Sequence, residues 1–179
     1  ILYKFHYPCL VDGKKAVQVM FNINLASAKA IEAYRKGGYN KDGGKIGIVL
    51  NLTPSYPRSE SKEDLAAAKF ADDFFNNSFL DPAIKGEFPK GLVSTLEKDN
   101  VLWNSTEEEM SIIKNNTIDF LGVNYYQPRR VKAREVEFDN RNGWMPGKYF
   151  ENYEMPGRRM NPYRGWEIYP EAIDRKSVV

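Results

Sequence analysis

The sequence is poor in cysteine and histidine and has no long apolar run. Its one cysteine, Cys9, has no partner for a disulfide within the chain, so nothing in the composition points to an oxidising compartment. No apolar stretch approaches the roughly 20 residues that a membrane-spanning helix needs. We therefore predict a soluble, cytoplasmic protein without a membrane partner. The apolar opening "ILYKFHYPCL" is typical of a chain that begins inside a domain.

The same scarcity argues against several kinds of site. His6 is the only histidine and has no serine, cysteine or metal-ligand spacing around it, so neither a Ser-His-Asp triad nor a His-rich metal site is predicted. The glycines of "NKDGGKIG" lack the spacing of a phosphate-binding loop. The formal net charge of +2 gives no long-range field that favours nucleic acid. Residues 129–164 are locally basic and aromatic, which we interpret as an active-site loop, with a nucleic-acid patch as the alternative.

What the sequence does contain is alternating helix and strand patterns. Residues 14–35 carry apolar side chains at spacings of three and four and predict an amphipathic helix, and "KIGIVLNL" predicts a buried strand. A second helix is predicted with Ser61 as N-cap and Asp64 as its capping-box partner. Its expected apolar face is Leu65, Ala68, Ala71 and Phe75. This order is typical of an α/β protein with a parallel sheet.

The later half of the chain is more irregular. Residues 79–92 are rich in Pro and Gly and predict a loop, and Thr106 with Glu109 has the spacing of a capping box at the start of a short helix. The apolar stretch from Thr117 predicts another buried strand. Residues 127–165 predict one long loop region of the active site, in which "VKAREVEF" suggests a short strand.

The predicted strand "TIDFLGVNYY" ends in polar and aromatic side chains. In α/β sheets, functional residues gather at the carboxyl ends of strands. Asn124 and Tyr126 are two positions apart, so we expect them on one side of the strand, facing a site, and Tyr125 on the other, facing the packing layer. Capping of a turn by the amide and packing of the phenol are the alternatives for this pair.

Several motifs in order resemble the family 1 glycoside hydrolases, the retaining β-glucosidases and 6-phospho-β-glucosidases. "DFLGVNYY" resembles the family's sixth-strand segment, and "AVQVMFNINLASAKAIEAYR" resembles its fourth barrel helix. "KIGIVLNLTPSYP" is similar to the fifth strand and following loop, "AAAKFADDFFNNSFLDPAIKGEFPKGL" to the next helix and loop, and "RGWEIYPEAI" to the signature before strand seven. The segment "FHYPCLVDGKKAVQV" looks most like the corresponding segment of the bacterial 6-phospho-β-glucosidases.

The resemblance implies an α/β fold that is part of a (β/α)8 TIM barrel, from about helix 4 to just before strand 7. It implies one partial glycosidase domain over residues 1–179, a small-molecule (phospho)glucoside substrate, cytoplasmic location, and no metal or organic cofactor. In the family's mechanism one glutamic acid protonates the leaving oxygen, and a second glutamate about 5 Å away forms a glycosyl-enzyme intermediate that water hydrolyses with retention.

The sequence also departs from the family pattern. The acid/base belongs to an Asn-Glu-Pro motif and the nucleophile to a Glu-Asn-Gly motif, and neither occurs here; Glu151-Asn152-Tyr153 is only a look-alike in the late loop. We therefore expect both catalytic glutamates outside this segment and the segment alone to be inactive. By resemblance, Tyr126 supports the active site by bonding to the nucleophile, and Asn124 binds substrate. The alternative is a standalone, non-catalytic domain that binds a phosphosugar or polyanion.

Overall fold

The computed structural model describes residues 2–5, 7 and 9–174, which form mixed α/β structure. His6 lies outside the described residues. The chain divides into two compact units, each assembled from segments that are distant in sequence. The first comprises Ile1–Leu50, Asn77–Gly122 and Asn140–Met145, and the second comprises Asn51–Asn76, Val123–Asp139 and Pro146–Val179. Among the described residues, no helix is both long enough and apolar enough to cross a membrane.

The longest helix, α1 (Gly13–Lys36), confirms the periodicity read over residues 14–35. Asp12 caps it by accepting a 2.9 Å hydrogen bond from the N–H of Lys15, which satisfies a donor that the first helical turn leaves free. The helix packs against α3 (Ser78–Lys85) and α5 (Glu107–Asn115). Its buried apolar face consists of Val17, Met20, Phe21, Leu25, Ala28 and Ile31.

The loop predicted over residues 79–92 is wrong for most of its length, because the chain there completes α3 and begins α4 (Lys90–Lys98). Pro82 lies inside α3, although it lacks the N–H that would bond to the carbonyl of Ser78. The buried side chain of Asn24, on α1, donates to that carbonyl at 3.0 Å. A tertiary hydrogen bond thus satisfies the acceptor that proline leaves open.

Both predicted helix starts are present. The hydroxyl of Thr106 accepts from the N–H of Glu109 at 3.2 Å, and the Glu109 carboxylate accepts from the N–H of Thr106 at 2.9 Å, so the capping box of α5 is complete. At α2 (Lys62–Asp72), Ser61 accepts from the N–H of Asp64 at 3.2 Å. The return bond that a capping box also needs, from the N–H of Ser61 to the side chain of Asp64, was predicted wrongly, because the Asp64 carboxylate accepts from other groups.

Strands β1 (Gly47–Asn51) and β3 (Phe120–Asn124) form a two-stranded sheet. Before the strands, the N–H of Asp119 donates to the carbonyl of Ile46 at 2.8 Å. After them, the N–H of Leu52 donates to the last carbonyl of β3 at 2.9 Å. Residue numbers therefore rise together along both strands, which is the arrangement of a parallel pair.

The prediction that these strands are buried is wrong. In β3 Phe120 is 53% exposed and Val123 is 39% exposed, and in β1 Val49 is 61% exposed. Parallel strands of complete α/β sheets are covered on both faces. A barrel closes only with its full number of strands and a consistent stagger. The residues that the structure describes form no closed barrel, so these side chains remain uncovered.

The second unit has a three-stranded sheet in the order β2 (Ser55–Pro57), β4 (Arg129–Lys132), β5 (Glu151–Asn152). β4 is parallel to β2 and antiparallel to β5. Helix α2 packs against β2 and β4. The core joining them consists of Ala67, Ala68, Ala71, Val131 and Phe150, with Phe70 and Phe75 against it. Leu65, predicted for this apolar face, is 43% exposed, so that part of the prediction is wrong.

The region 127–165 is less regular than the helices, as expected, but it contains defined elements. Besides β4 and β5 it has 3₁₀ turns at Asn140–Asn142 and Pro146–Lys148. The short strand expected in "VKAREVEF" begins two residues earlier and ends at Lys132. The charged alternation after Lys132 does not continue the ladder.

Candidate functional site

The predicted site residues lie at and just after the carboxyl end of β3, within the second unit. Asn124 is the last residue of the strand and is exposed, and Tyr126 lies two residues beyond the strand's end with 55% of its surface exposed. Tyr125, between them, is half-buried. The exposures therefore follow the expected alternation. The roles assigned to Asn124 and Tyr126 stay predictions.

Tyr126 has an aromatic neighbour from a distant part of the chain. The centroid of its ring lies 5.4 Å from that of Trp166, with 54° between the ring planes, which is a favourable tilted contact. Trp166 belongs to the "RGWEIYPEAI" segment. The fold thus brings together two motifs that the sequence places 40 residues apart, namely the one ending β3 and the one around Trp166.

Tyr125 has a structural hydrogen bond. Its hydroxyl donates to the carbonyl oxygen of Tyr169 at 2.6 Å. Burial, together with the neighbouring Tyr56 and Glu167, raises the pKa of Tyr125 to about 12, so its hydroxyl stays protonated and remains a donor at neutral pH. The residue therefore fastens the chain after β3 to the segment that contains Tyr169.

Sequence reasoning missed an ion pair beside these tyrosines. Arg130, on β4, donates to both carboxylate oxygens of Glu167, with its shortest bond at 2.6 Å, and both side chains are nearly buried. The guanidinium carbon lies 5.0 Å from the ring centre of Tyr56 and 4.7 Å from that of Tyr169. The carboxylate of Glu167 raises the pKa of Arg130 above its ordinary value. No spacing rule predicts a pair 37 positions apart.

This pair forms part of the wall of an open pocket of about 280 Å³. The guanidinium of Arg129, one of its lining residues, lies 3.6 Å from the ring centre of Phe75. Arg158, also in the lining, makes a 3.2 Å ion pair with the highly exposed Glu154. The other lining residues include Thr53, Gln127, Asn152, Tyr153 and Met160. The pocket is thus polar, with more arginines than glutamates in its wall.

Asp64 connects helix α2 to the strand it packs against. Its buried carboxylate accepts hydrogen bonds from the N–H of Ala133 and the hydroxyl of Ser59, both at 2.7 Å, and pairs with Arg58 at 3.1 Å. The Ala133 bond, with the help of Ser59 and Arg58, holds the pKa of Asp64 below its ordinary 3.8. The carboxylate therefore stays charged and connects the start of α2 to the end of β4.

The look-alike Glu151-Asn152-Tyr153 forms ordinary structural contacts. Glu151 lies in β5, and its carboxylate makes ion pairs at 3.5 Å with Lys132 and with Arg134. Within the described part of the chain, no group of three or more His, Cys, Asp or Glu residues is placed to hold a metal ion. The side chains gathered here can bind a polar ligand and orient neighbouring groups.

Comparison with known proteins defines the class to which this arrangement belongs. The chain belongs to glycosyl hydrolase family 1, whose model matches residues 2–178. It is 56% identical, over 96% of its length, to 6-phospho-beta-glucosidase GmuD of Bacillus subtilis (strain 168) and covers 36% of that protein. It is 35% identical, over 90% of its length, to a 6-phospho-beta-galactosidase of Clostridium acetobutylicum and covers 36% of that protein.

Solved structures confirm the fold. The virulence factor SghA from Agrobacterium tumefaciens matches with a TM-score of 0.80 and 30% identity, over 98% of this chain and 36% of that one. The family 1 β-glucosidase from Thermotoga maritima matches with a TM-score of 0.73 and 32% identity, over 96% and 35%. The chain spans about a third of the length of these relatives, so the predicted partial TIM barrel is confirmed.

Proposed function

We propose that the protein to which this segment belongs hydrolyses β-glucosidic bonds of 6-phospho-β-glucosides with retention of configuration. The 56% identity to a 6-phospho-beta-glucosidase carries this proposal. That identity is well above the 30% to the Beta-glucosidase A of Acetivibrio thermocellus, which favours the phosphorylated substrate over the free glucoside. Cytoplasmic location and a phosphorylated sugar substrate belong to the same proposal.

In this proposal the segment contributes the strand-six side of the active site. The hydroxyl of the exposed Tyr126 donates a hydrogen bond to the nucleophilic glutamate, which keeps that group ionised and directed at the anomeric carbon. Asn124 lines the same subsite and bonds to a sugar hydroxyl. The hydrogen-bonded Tyr125 and the ring of Trp166 support this geometry, because they fix the backbone and one side of Tyr126.

We further propose that the 179 residues alone have no hydrolase activity. Neither the Asn-Glu-Pro nor the Glu-Asn-Gly motif is present, and retaining hydrolysis needs two carboxyl groups about 5 Å apart across the bond. The test compares the purified segment with the full-length protein on an aryl 6-phospho-β-glucoside and on its unphosphorylated counterpart. We expect turnover only by the full-length protein and mainly of the phosphorylated substrate. Turnover by the segment contradicts the inactivity, and preference for the free glucoside contradicts the substrate.

The arginine-lined pocket favours a second candidate, a standalone domain that binds a phosphosugar or polyanion without catalysis. Arg129 and Arg158 supply positive charge beside polar groups in a pocket of about 280 Å³. This candidate predicts a cooperative melt of the isolated segment and saturable binding of glucose 6-phosphate that weakens with salt. A segment that aggregates and binds nothing at low salt contradicts it and leaves the hydrolase proposal intact.

A further inference from the structure

The Arg130–Glu167 pair has features of a positioning device, not of an ordinary surface ion pair. Most exposed ion pairs contribute little, whereas this one is nearly buried, uses both carboxylate oxygens and lies against two tyrosine rings that contact each other edge-to-face. Removing one partner of a buried pair leaves the other charge uncompensated. The pair is therefore held in one geometry, and so are the backbone segments that carry it.

The two segments joined by this pair are those that carry the candidate site. Arg130 is four residues after Tyr126, and Glu167 directly follows Trp166, whose ring is in contact with Tyr126. Two more hydrogen bonds join the same segments. The N–H of Glu167 donates to the side chain of Gln127 at 3.3 Å, and the Tyr125 hydroxyl donates to the backbone beyond Glu167.

We propose that Arg130 and Glu167 are positioning residues that act through Trp166 to hold Tyr126 in its catalytic orientation. Neither side chain needs to contact the sugar. The bidentate pair sets the position of the backbone at Glu167, which sets where the indole of Trp166 stands. The indole in turn limits the rotation of the Tyr126 ring. This inference rests on the proposed function, because the Tyr126 hydroxyl must act on the nucleophile for its orientation to affect the rate.

The test uses the full-length protein with Glu167→Gln and Arg130→Lys. Glutamine keeps the size of the side chain but removes its charge, and lysine keeps the charge but cannot make two parallel hydrogen bonds. We expect kcat to fall about 10- to 100-fold in both variants, the range produced by a misplaced catalytic group, with KM changed less than about 3-fold. The control is Glu32→Gln, which breaks the surface ion pair with Lys36 on α1 and should leave kcat unchanged.

A combination with Tyr126→Phe separates positioning from general loss of structure. If Glu167 acts through Tyr126, the double variant Tyr126→Phe/Glu167→Gln should be about as slow as the slower single variant. Multiplied losses, or a kcat of Glu167→Gln equal to wild type in protein that remains folded by circular dichroism, overturn the inference. An inactive wild type on both the phosphorylated and the free glucoside overturns the proposed function instead, so the two failures are distinguishable.

Discussion

Tyr125 and Tyr126 are adjacent in the chain but have opposite environments. One is half-buried with its hydroxyl bonded to a backbone carbonyl, and the other is exposed with its ring against Trp166. The alternation of side chains along an extended chain explains this difference. At the residue scale, the first of the pair is therefore structural, and the second carries the role that the proposed function assigns to it.

Tyr126→Phe in the full-length protein should lower kcat more than it raises KM. The hydroxyl acts on the nucleophile in the proposed mechanism, so its removal affects the transition state more than substrate binding, and we expect a loss of about 10- to 1000-fold in kcat. Steady-state kinetics on an aryl 6-phospho-β-glucoside measure this. Tyr163→Phe is the matched control, because Tyr163 is 93% exposed. A Tyr126→Phe enzyme with unchanged kcat assigns the residue to packing.

Asp64→Asn should destabilise the protein at neutral pH. The variant loses the charge on which hydrogen-bond donors from three residues converge, which costs about 1–3 kcal/mol for a buried group. The folded-state pKa of Asp64 lies below 3.8, so its contribution is present above that value and is lost as the pH falls through the folded pKa.

Thermal melts of the full-length protein at pH 7 and near pH 3 measure the effect of Asp64→Asn. The difference in Tm between wild type and variant should shrink at the lower pH. Glu63→Gln is the control, since it changes an exposed carboxylate in the same helical turn. An equal difference in Tm at both pH values contradicts the assigned role of the charge.

At the scale of elements, α3 shows what local patterns could not predict. The sequence "FLDPAIKGEFPKGL" has the Pro and Gly content of a loop, yet most of it is helical, and within α3 Asn24 supplies the bond that Pro82 cannot. That partner is 54 positions away. By contrast, α1 and the capping box of α5 were predicted well because periodicity and capping act over three to four residues. The Arg130–Glu167 pair was missed for the same reason as α3, because its two partners are far apart in the sequence.

Asn24→Ala should destabilise the full-length protein, and Pro82→Ala should reduce that loss. Asn24→Ala removes the buried hydrogen bond to the Ser78 carbonyl, which costs about 1–3 kcal/mol. An alanine at position 82 restores a backbone N–H that can bond to the same carbonyl. Unfolding in urea of both single variants and the double variant gives the coupling, with exposed Asn22→Ala as control. Additive losses contradict this account of the proline.

At the scale of the whole molecule, the exposed strand faces are the main consequence of a chain that covers a third of its relatives. Val49 and Phe120 would be covered in a complete sheet. The isolated segment should therefore bind the dye ANS more strongly, mole for mole, than the full-length protein, and it should associate at micromolar concentration. Val49→Thr/Phe120→Thr should lower the dye signal. Dye binding no stronger than that of the full-length protein contradicts this prediction.

The Arg130–Glu167 pair also has a consequence for how this part of the family can diverge. The pair joins the two ends of the loop that runs from Arg130 to Glu167. The residues between them therefore do not have to fix the distance between these ends. The entropic cost of closing a longer loop grows only slowly with its length. Insertions and deletions in the exposed stretch around residues 135–141 should therefore accumulate among homologues that keep both partners. An ion pair at the two ends of this stretch thereby permits its length to vary while the backbone next to Tyr126 and Trp166 keeps its position.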